Sequence, residues 1–301
     1  MDYKKIITRR STRQRILSAL SFIPDKPMLK LQYRIKTGRK LNLKNPQRFT
    51  EKFQWYKLNY KNPLLIQCVD KYDVREYVES KGLGDILIPC YGVFETSAAI
   101  NWADIPDEFV MKDTLGGGGN SVVIVRDKSK ESIEELTKKA EAWVKKGISG
   151  KGSGREWPYH SGKNRRVIIE KLIQADEAAG GLIDYKFFCF NGKVEFLYVM
   201  GDRSVGQSVK VSIFDRDFKK LPVRRVGDEE FLGAKKPDNF TEMIKVAEKL
   251  SEDFPHVRVD LYNDNGKILF GEMTFYNASG YMEYDPDSFD IEIGNRWSLL
   301  I

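Results

Sequence analysis

"FVMKDTLGGGGNSVVIV", residues 109–125, is an apolar run carrying one lysine that enters four consecutive glycines and leaves as a second apolar run. Two strands joined this way form a hairpin whose tip has no side chains. Backbone N–H groups in such a turn can wrap phosphate oxygens that a Cβ would hold away. Neither common phosphate loop matches: no Gly-Lys-Ser/Thr follows, and no helix opens after the glycines as a dinucleotide fingerprint requires. Lys112 stands near the end of the first strand, where its ammonium could reach phosphates held beneath the loop. A flexible hairpin without function would have the same composition.

"HVRVDLYNDNGKILFGEMTFY", residues 256–276, is a second hairpin, turning at Asp264-Asn265-Gly266. Arg258 and Asp260 are two apart and share a face, while Val257, Val259 and Leu261 take the other. Glu272 and Thr274 share a face on the returning strand, so pairing across the turn can bring Asp260 beside Glu272. Adjacent carboxylates repel unless a cation sits between them, and hard oxygen donors suit Mg²⁺ bridging to phosphate. A polar edge turned to solvent would show the same spacing. "VIIEKLI", residues 167–173, is an apolar strand holding one acid, Glu170. Such a segment can back an adenine ring while its backbone groups meet the ring edge.

The remaining chain is a mixture of helices and mostly antiparallel strands, an α+β class. Residues 25–62 predict one or two helices broken at Gly38 and Pro46. "VDKYDVREYVESKG" predicts a helix capped by Asp70, with Val74, Tyr77 and Val78 on one face. "SIEELTKKAEAWVKKG" has the Ser132/Glu135 capping spacing, and "NFTEMIKVAEKLSEDF" is amphipathic. "YKFFCFNGKVEFLYVM" predicts a hairpin at Asn191-Gly192. The Gly-rich connection "ISGKGSGREWPYHSGKN" is long enough for a lid or binding loop. Three regions are expected: a basic aromatic helical region at 1–62, a lobe with the glycine loop at 63–169, and a C-terminal subdomain with the metal site at 170–301.

Of 301 residues, 41% are hydrophobic, ample for a core, and no apolar run is long enough to span a bilayer. The N-terminus lacks a secretory cleavage pattern. Cys68, Cys90 and Cys189 have neither disulfide nor metal-ligand spacing and read as reduced cytosolic thiols. Charge is uneven: residues 1–60 hold 16 Lys and Arg against 3 Asp and Glu, whereas the chain as a whole is +7. A basic arm on an acidic body predicts an anionic partner such as a membrane surface or an acidic polymer, and no nucleic-acid module signature accompanies it. With only His160 and His256, a Ser-His-Asp or Cys-His mechanism has little material to use.

These pieces occur in one order: a DK helix, a strand with Lys, a glycine hairpin, an apolar strand with Glu, an acid–x–Lys strand, then R-x-D and a later Glu. The chain resembles the ATP-grasp superfamily, whose two α+β subdomains grip ATP between largely antiparallel sheets. More narrowly it resembles the TupA-like ATP-grasp proteins of bacterial surface-polysaccharide gene clusters. "LNLKNPQRFTEKFQWYKL", "VDKYDVREYV", "IPCYGVF", "FVMK", "EWPY", "DYKFFCFNGK" and "RVDLYNDNGKILFGEMTF" carry the likeness over residues 28–285.

By position, the resemblance implies that Lys71 and Lys112 contact ATP phosphates and that Gly116, Gly117, Gly118 and Gly119 cover them. Glu170, Lys171 and Leu172 would line adenine, Asp184 would meet the ribose, and Lys186 would add charge near the phosphates. Asp260 and Glu272 would bridge Mg²⁺, and Arg258 would steady charge developing at the reacting centre. Two positions depart from the pattern. Thr274 stands where Asn usually follows the metal-binding Glu, with Asn277 a possible substitute. Asp113-Thr114-Leu115 replaces a Cys-Asn-His-like run.

The implied reaction is ATP-dependent amide formation between an amino acid or amine and a sugar carboxylate, through an acyl phosphate, in capsule or cell-wall polysaccharide synthesis. A sugar kinase on the same ATP site, a nucleotide-sugar glycosyltransferase and a non-catalytic nucleotide-binding protein are the alternatives. The acceptor would be a free or lipid-linked saccharide. Tyr33, Arg34, Lys36, Arg39, Lys40, Trp55 and Tyr56 of the basic arm are candidates to hold it, at the inner face of the plasma membrane.

Overall fold

A computed structural model describes residues 16–17, 19–117, 121–145, 154–174, 181–201 and 210–299. The start of the expected basic helical region falls largely outside these residues, as do Gly118 and Gly119. Among them are seven α-helices: α1 (Asp25–Thr37), α2 (Phe49–Asn59), α3 (Leu64–Cys68), α4 (Val74–Ser80), α5 (Ile133–Val144), α6 (Phe240–Ser251) and α7 (Ser288–Arg296).

The first sheet is antiparallel, in the order β1 (Cys90–Phe94), β4 (Val167–Glu170), β2 (Phe109–Asp113), β3 (Val122–Val125). Helix α5, capped by Ser132 accepting from Glu135 N–H, lays Leu136 and Ala140 on Phe109, Met111, Val167 and Ile169. The second sheet, also antiparallel, runs β10 (Lys267–Thr274), β9 (His256–Asp264), β5 (Asp184–Phe190), β6 (Lys193–Gly201), β7 (Lys210–Asp215). Both expected hairpin turns form, with Asn191, Gly192, Asn265 and Gly266 all at positive φ. A two-stranded ribbon pairs β8 (Arg224–Arg225) with β11 (Tyr284–Asp285).

The second sheet explains how one face becomes a site. On β5, Phe187 meets Phe240 of α6 and the Cys189 thiol lies against Ala247 O, so one face is covered by that helix. The other face carries Asp184, Lys186, Phe188 and Phe190. Phe188 and Phe190 pack on Phe49 of α2, with Trp297 stacked on Phe190, whereas Lys186 pairs with Asp184 and Asp260. Strand β9 repeats the gradient: His256 sits in the same aromatic cluster, followed by Arg258 and Asp260. The two strands are antiparallel, so the aromatic end of β5 lies beside the start of β9 and the charged start of β5 beside the later part of β9.

Two expectations are corrected. Helix α4 starts at Val74 rather than at Asp70, whose carboxylate caps the preceding turn by accepting from Tyr72 and Asp73 N–H. Tyr33 and Tyr56 are core residues, the first sharing a hydrogen bond with Thr50 Oγ1 and the second donating to His256 O, so neither can hold a saccharide. Arg39 pairs with Asp287 at 2.6 Å.

Helix α7 locks onto α2: Asp290 accepts from both Thr50 N–H (2.9 Å) and Thr50 Oγ1 (2.8 Å). The approach is close because Gly294 has no side chain. A Cβ there would run into Gln47 O and stand 2.7 Å from Phe49 N. Gly294→Ala should therefore cost about 3 kcal/mol, since backbone must move on both sides; urea unfolding followed by circular dichroism measures it.

Candidate active site

Arg258 organises the floor. Its Nε donates to Asp260 Oδ1 (2.6 Å), and its Nη2 to Asp260 Oδ2 (2.6 Å), Glu272 Oε1 (2.9 Å) and Thr274 Oγ1 (3.0 Å). The other terminal nitrogen donates to Asn277 Oδ1. Lys186 contacts Asp260 Oδ2 and lies 2.7 Å from Asp184 Oδ2. Three carboxylates and their cations thus lie in a row across β10, β9 and β5, with Glu272 opposite Asp260 and Asp260 opposite Lys186.

This row depends on an irregularity. Between Phe270 and Glu272 the register with β9 slips by one residue, at Gly271. With unbroken pairing Gly271 would face Asp260, and Glu272 would point to the opposite side of the sheet. A Cβ at Gly271 would stand 3.0 Å from Asp260 O, so glycine suits the crowded backbone there.

Burial disfavours the charge on Arg258, but Asp260, Glu272 and Asp184 outweigh it and raise the guanidinium above its ordinary value. Burial raises Asp260 against the pull of Arg258 and Lys186. Burial would also raise Glu272, yet Lys71, Arg258, Lys186 and the Thr274 hydroxyl hold it down at about 2. The Glu272 side chain is nevertheless 38% exposed, so part of it reaches solvent.

The influence of Lys71 on Glu272 connects the two halves of the site. Lys71 Nζ donates to Gly116 O at the entry of the glycine loop, and its own N–H donates to Thr114 O (2.9 Å). Lys71 is thus fixed at the loop entry, and its charge is felt by Glu272 on the floor. Gly116 is needed for packing: a Cβ there would stand 2.6 Å from Ser121 Cβ, closing the hairpin's neck, whereas Gly117 is open. Lys112 lies on β2 with its ammonium 2.7 Å from Glu170 Oε2, and Arg75 approaches the other oxygen at 3.6 Å. Glu170 ends β4, followed by exposed Lys171, whose N–H donates to Pro89 O, and by buried Leu172.

Several participants carried no readable motif. Asp113 pairs with Arg165, and Arg166 holds Asp70 (3.0 Å) and Asp73 (2.8 Å), fixing the Lys71 segment to the first sheet. The two adjacent arginines were the available signal. Tyr159, in the turn Trp157–His160, has its phenol raised by burial and then by Glu156 and Glu272, which places it beside the floor. His160 is lowered by burial and by Arg165.

A divalent cation suits this donor set. The described bonds of Glu272 all fall on Oε1, leaving Oε2 without one. Asp260 is 1% exposed with its oxygens engaged by Arg258 and Lys186, so it reaches a cation only as Lys186 yields. Thr274 offers a hydroxyl, though it already bridges Arg258 and Glu272. Among the described residues no cluster of three or more His, Cys, Asp or Glu forms a ready metal cage.

The model of the TupA-like ATPgrasp family matches residues 51–298. The chain belongs to this family. Its α+β architecture of antiparallel sheets is accordingly the ATP-grasp fold. Solved structures similar to this ATP-grasp chain include the D-alanine–D-alanine ligase from Bacillus anthracis, at 17% identity and TM-score 0.43, covering 69% of this chain and 57% of that one. Another is PurK, an N5-carboxyaminoimidazole ribonucleotide synthetase, as its ADP complex, at 15% identity and TM-score 0.41, covering 75% and 50%. The ATP-grasp ligase PsnB with a minimal precursor, Mg and ADP is a third, at 11% identity and TM-score 0.39, covering 75% and 57%. The chain thus spans little more than half the length of these structures. No curated protein matches.

Beside the floor, the turn Asn277–Gly280 holds Ala278 and Ser279 at φ 45° and 54°, a left-handed backbone that costs non-glycine residues. Lys57, 2% exposed, steadies it by donating to Ser279 O (2.8 Å), while Gln54 donates to Gly280 O (2.9 Å). Burial drops the Lys57 ammonium to about 7. An unfolded lysine keeps its proton up to about 10.5, so folding releases one between these values and becomes easier as pH rises through them. Wild type should gain stability over Lys57→Met as pH goes from 7 to 10, and the difference should be flat below 7; thermal melts across that range test the sign.

Proposed function

We propose that the chain is an ADP-forming carboxylate–amine ligase that joins an amino acid or other amine to a sugar carboxylate in bacterial surface-polysaccharide synthesis. The observation that carries this reading is the pair of charged clusters on the two sheets, Lys71 bonded to the glycine-loop entry and Arg258 gathering Asp260, Glu272 and Thr274, which supports a triphosphate lying between loop and floor. Lys71, Lys112 and the Gly116–Gly117 backbone hold phosphate oxygens. Glu170, Lys171 and Leu172 border the base, and Asp184 takes ribose hydroxyls. Asp260, Glu272 and Thr274 hold Mg²⁺, which when bound neutralises phosphate charge.

In this scheme an acceptor carboxylate oxygen attacks the γ-phosphorus, the bond to the bridging oxygen breaks, and ADP leaves. An amine nitrogen then attacks the acyl carbon, phosphate departs with the bonding pair, and the nitrogen loses a proton. Arg258 and Lys186 stabilise the oxygens on which charge grows, and no protein nucleophile is required. Before nucleotide binds, the ammonium groups of Lys112 and Lys186 neutralise Glu170 and Asp260. Asp260 would become available to Mg²⁺ where Lys186 turned from it to a phosphate oxygen.

Incubation with Mg²⁺, ATP and a panel of uronic acids and amino acids tests the reading. ADP, phosphate and a new amide support it. A phosphorylated sugar assigns a kinase instead, and UDP released from a UDP-sugar with ATP untouched assigns a glycosyltransferase. Glu272→Gln should lower ATP consumption by roughly a hundredfold and raise the Mg²⁺ requirement, with the fold retained. Turnover at the wild-type rate in this variant would overturn the metal assignment.

A further inference from the structure

The N-terminal part of the described chain has a surface that the cleft does not use. Four exposed large apolar side chains fall between positions 16 and 35: Ile16 (42%), Phe22 (79%), Leu31 (49%) and Ile35 (45%). Leu31 and Ile35 are one turn apart on the outward side of α1, whose inward side buries Met28, Leu29, Gln32 and Tyr33. Lys30 and Arg34 form the adjoining outward row, with exposed Lys26 before them and exposed Lys40 after. Lys30, Arg34, Lys40 and Leu41 line a shallow hollow of about 310 Å³. Among the described residues, Lys26, Lys30, Arg34 and Lys40 make no ion pair.

This segment is not a loose tail. Arg155, 4% exposed, donates to Leu20 O (2.9 Å), Ile23 O (2.8 Å) and Asp25 Oδ1 (2.9 Å). The next residue, Glu156, accepts from Ser279 Oγ in the left-handed turn beside Arg258. The outward face is therefore bolted to one wall of the cleft through two consecutive residues.

We propose that this face seats the protein on an anionic lipid bilayer, with the Glu156–His160 wall of the cleft held near the membrane surface. A soluble polyanion would satisfy the cations but leave Phe22, Leu31 and Ile35 in water. A bilayer takes both: apolar side chains enter the boundary region while lysine and arginine reach phosphate oxygens beside them. The surplus of 16 basic over 3 acidic residues in positions 1–60 adds long-range attraction of the same sign. No described helix is long and apolar enough to cross a membrane, so the contact lies in the interface plane. It stands independently of the ligase reading, because vesicle binding and ATP turnover are read separately.

The test is sedimentation of the full-length protein with vesicles of phosphatidylcholine alone or with added phosphatidylglycerol. Binding is expected only to the anionic vesicles, weakening as salt rises. Lys26→Glu with Lys30→Glu should weaken it roughly tenfold or more. Leu31→Ser with Ile35→Ser leaves charge unchanged and should also weaken it. Both variants should keep wild-type ATP turnover, which also shows that they fold. No binding to anionic vesicles, equal binding to neutral ones, or undiminished binding by the Leu31/Ile35 variant overturns the proposal. The last result would assign the basic row to a soluble polyanion.

Discussion

Three carboxylates share one end of a sheet whose other end is packed with aromatic rings, and that arrangement is stable only because Arg258 is planar and has five donors. It spans Asp260, Glu272, Thr274 and Asn277 at once, binding Asp260 through two nitrogens. A lysine could balance one charge but could not join two strands and the following turn in a fixed plane. With Lys186 and Lys71 the ionised site comes near neutrality without a ligand, so the fold can form before substrates arrive. Internal pairing of this kind avoids leaving bare charge buried in the sheet.

The aromatic end of the sheet serves the charged end. Phe49, Phe53, Phe188, Phe190 and Trp297 surround His256, whose imidazole is driven by burial to about 3 and stays neutral. Two residues further along β9 lies Arg258. Rigid rings on one side of that strand restrict backbone movement and hold the guanidinium where its partners are. His256 is thus a packing residue, and its neutrality keeps a further positive charge away from a site that already balances.

Much of this was legible in the chain. Asn-Gly turns, the Ser132 cap and the two-residue spacing of Arg258 and Asp260 act locally, within a few positions, and each gave its element. The ordered set of short motifs gave the family. What escaped was set by partners distant in sequence. Strand β7 lies in a stretch that reads as irregular and basic, and it becomes a strand by completing the sheet beside β6. Helix α7 was signalled only by Phe289, Ile293 and Trp297 at four-residue spacing, all of which pack inward. Tyr33 and Tyr56 looked available for stacking on sugars because an aromatic residue among lysines looks the same in sequence whether it faces inward or outward.

The register slip at Gly271 was equally invisible, since a bulge exists only relative to the neighbouring strand. It has a consequence for inheritance. Loss of that one codon would put Glu272 directly after Phe270, still opposite Asp260 and on the same side of the sheet, so regular pairing would keep the two carboxylates together. The lineage can therefore carry this strand in two lengths, bulged or one residue shorter, with the acids in place, whereas a slip that closes the bulge with Gly271 still present would separate them.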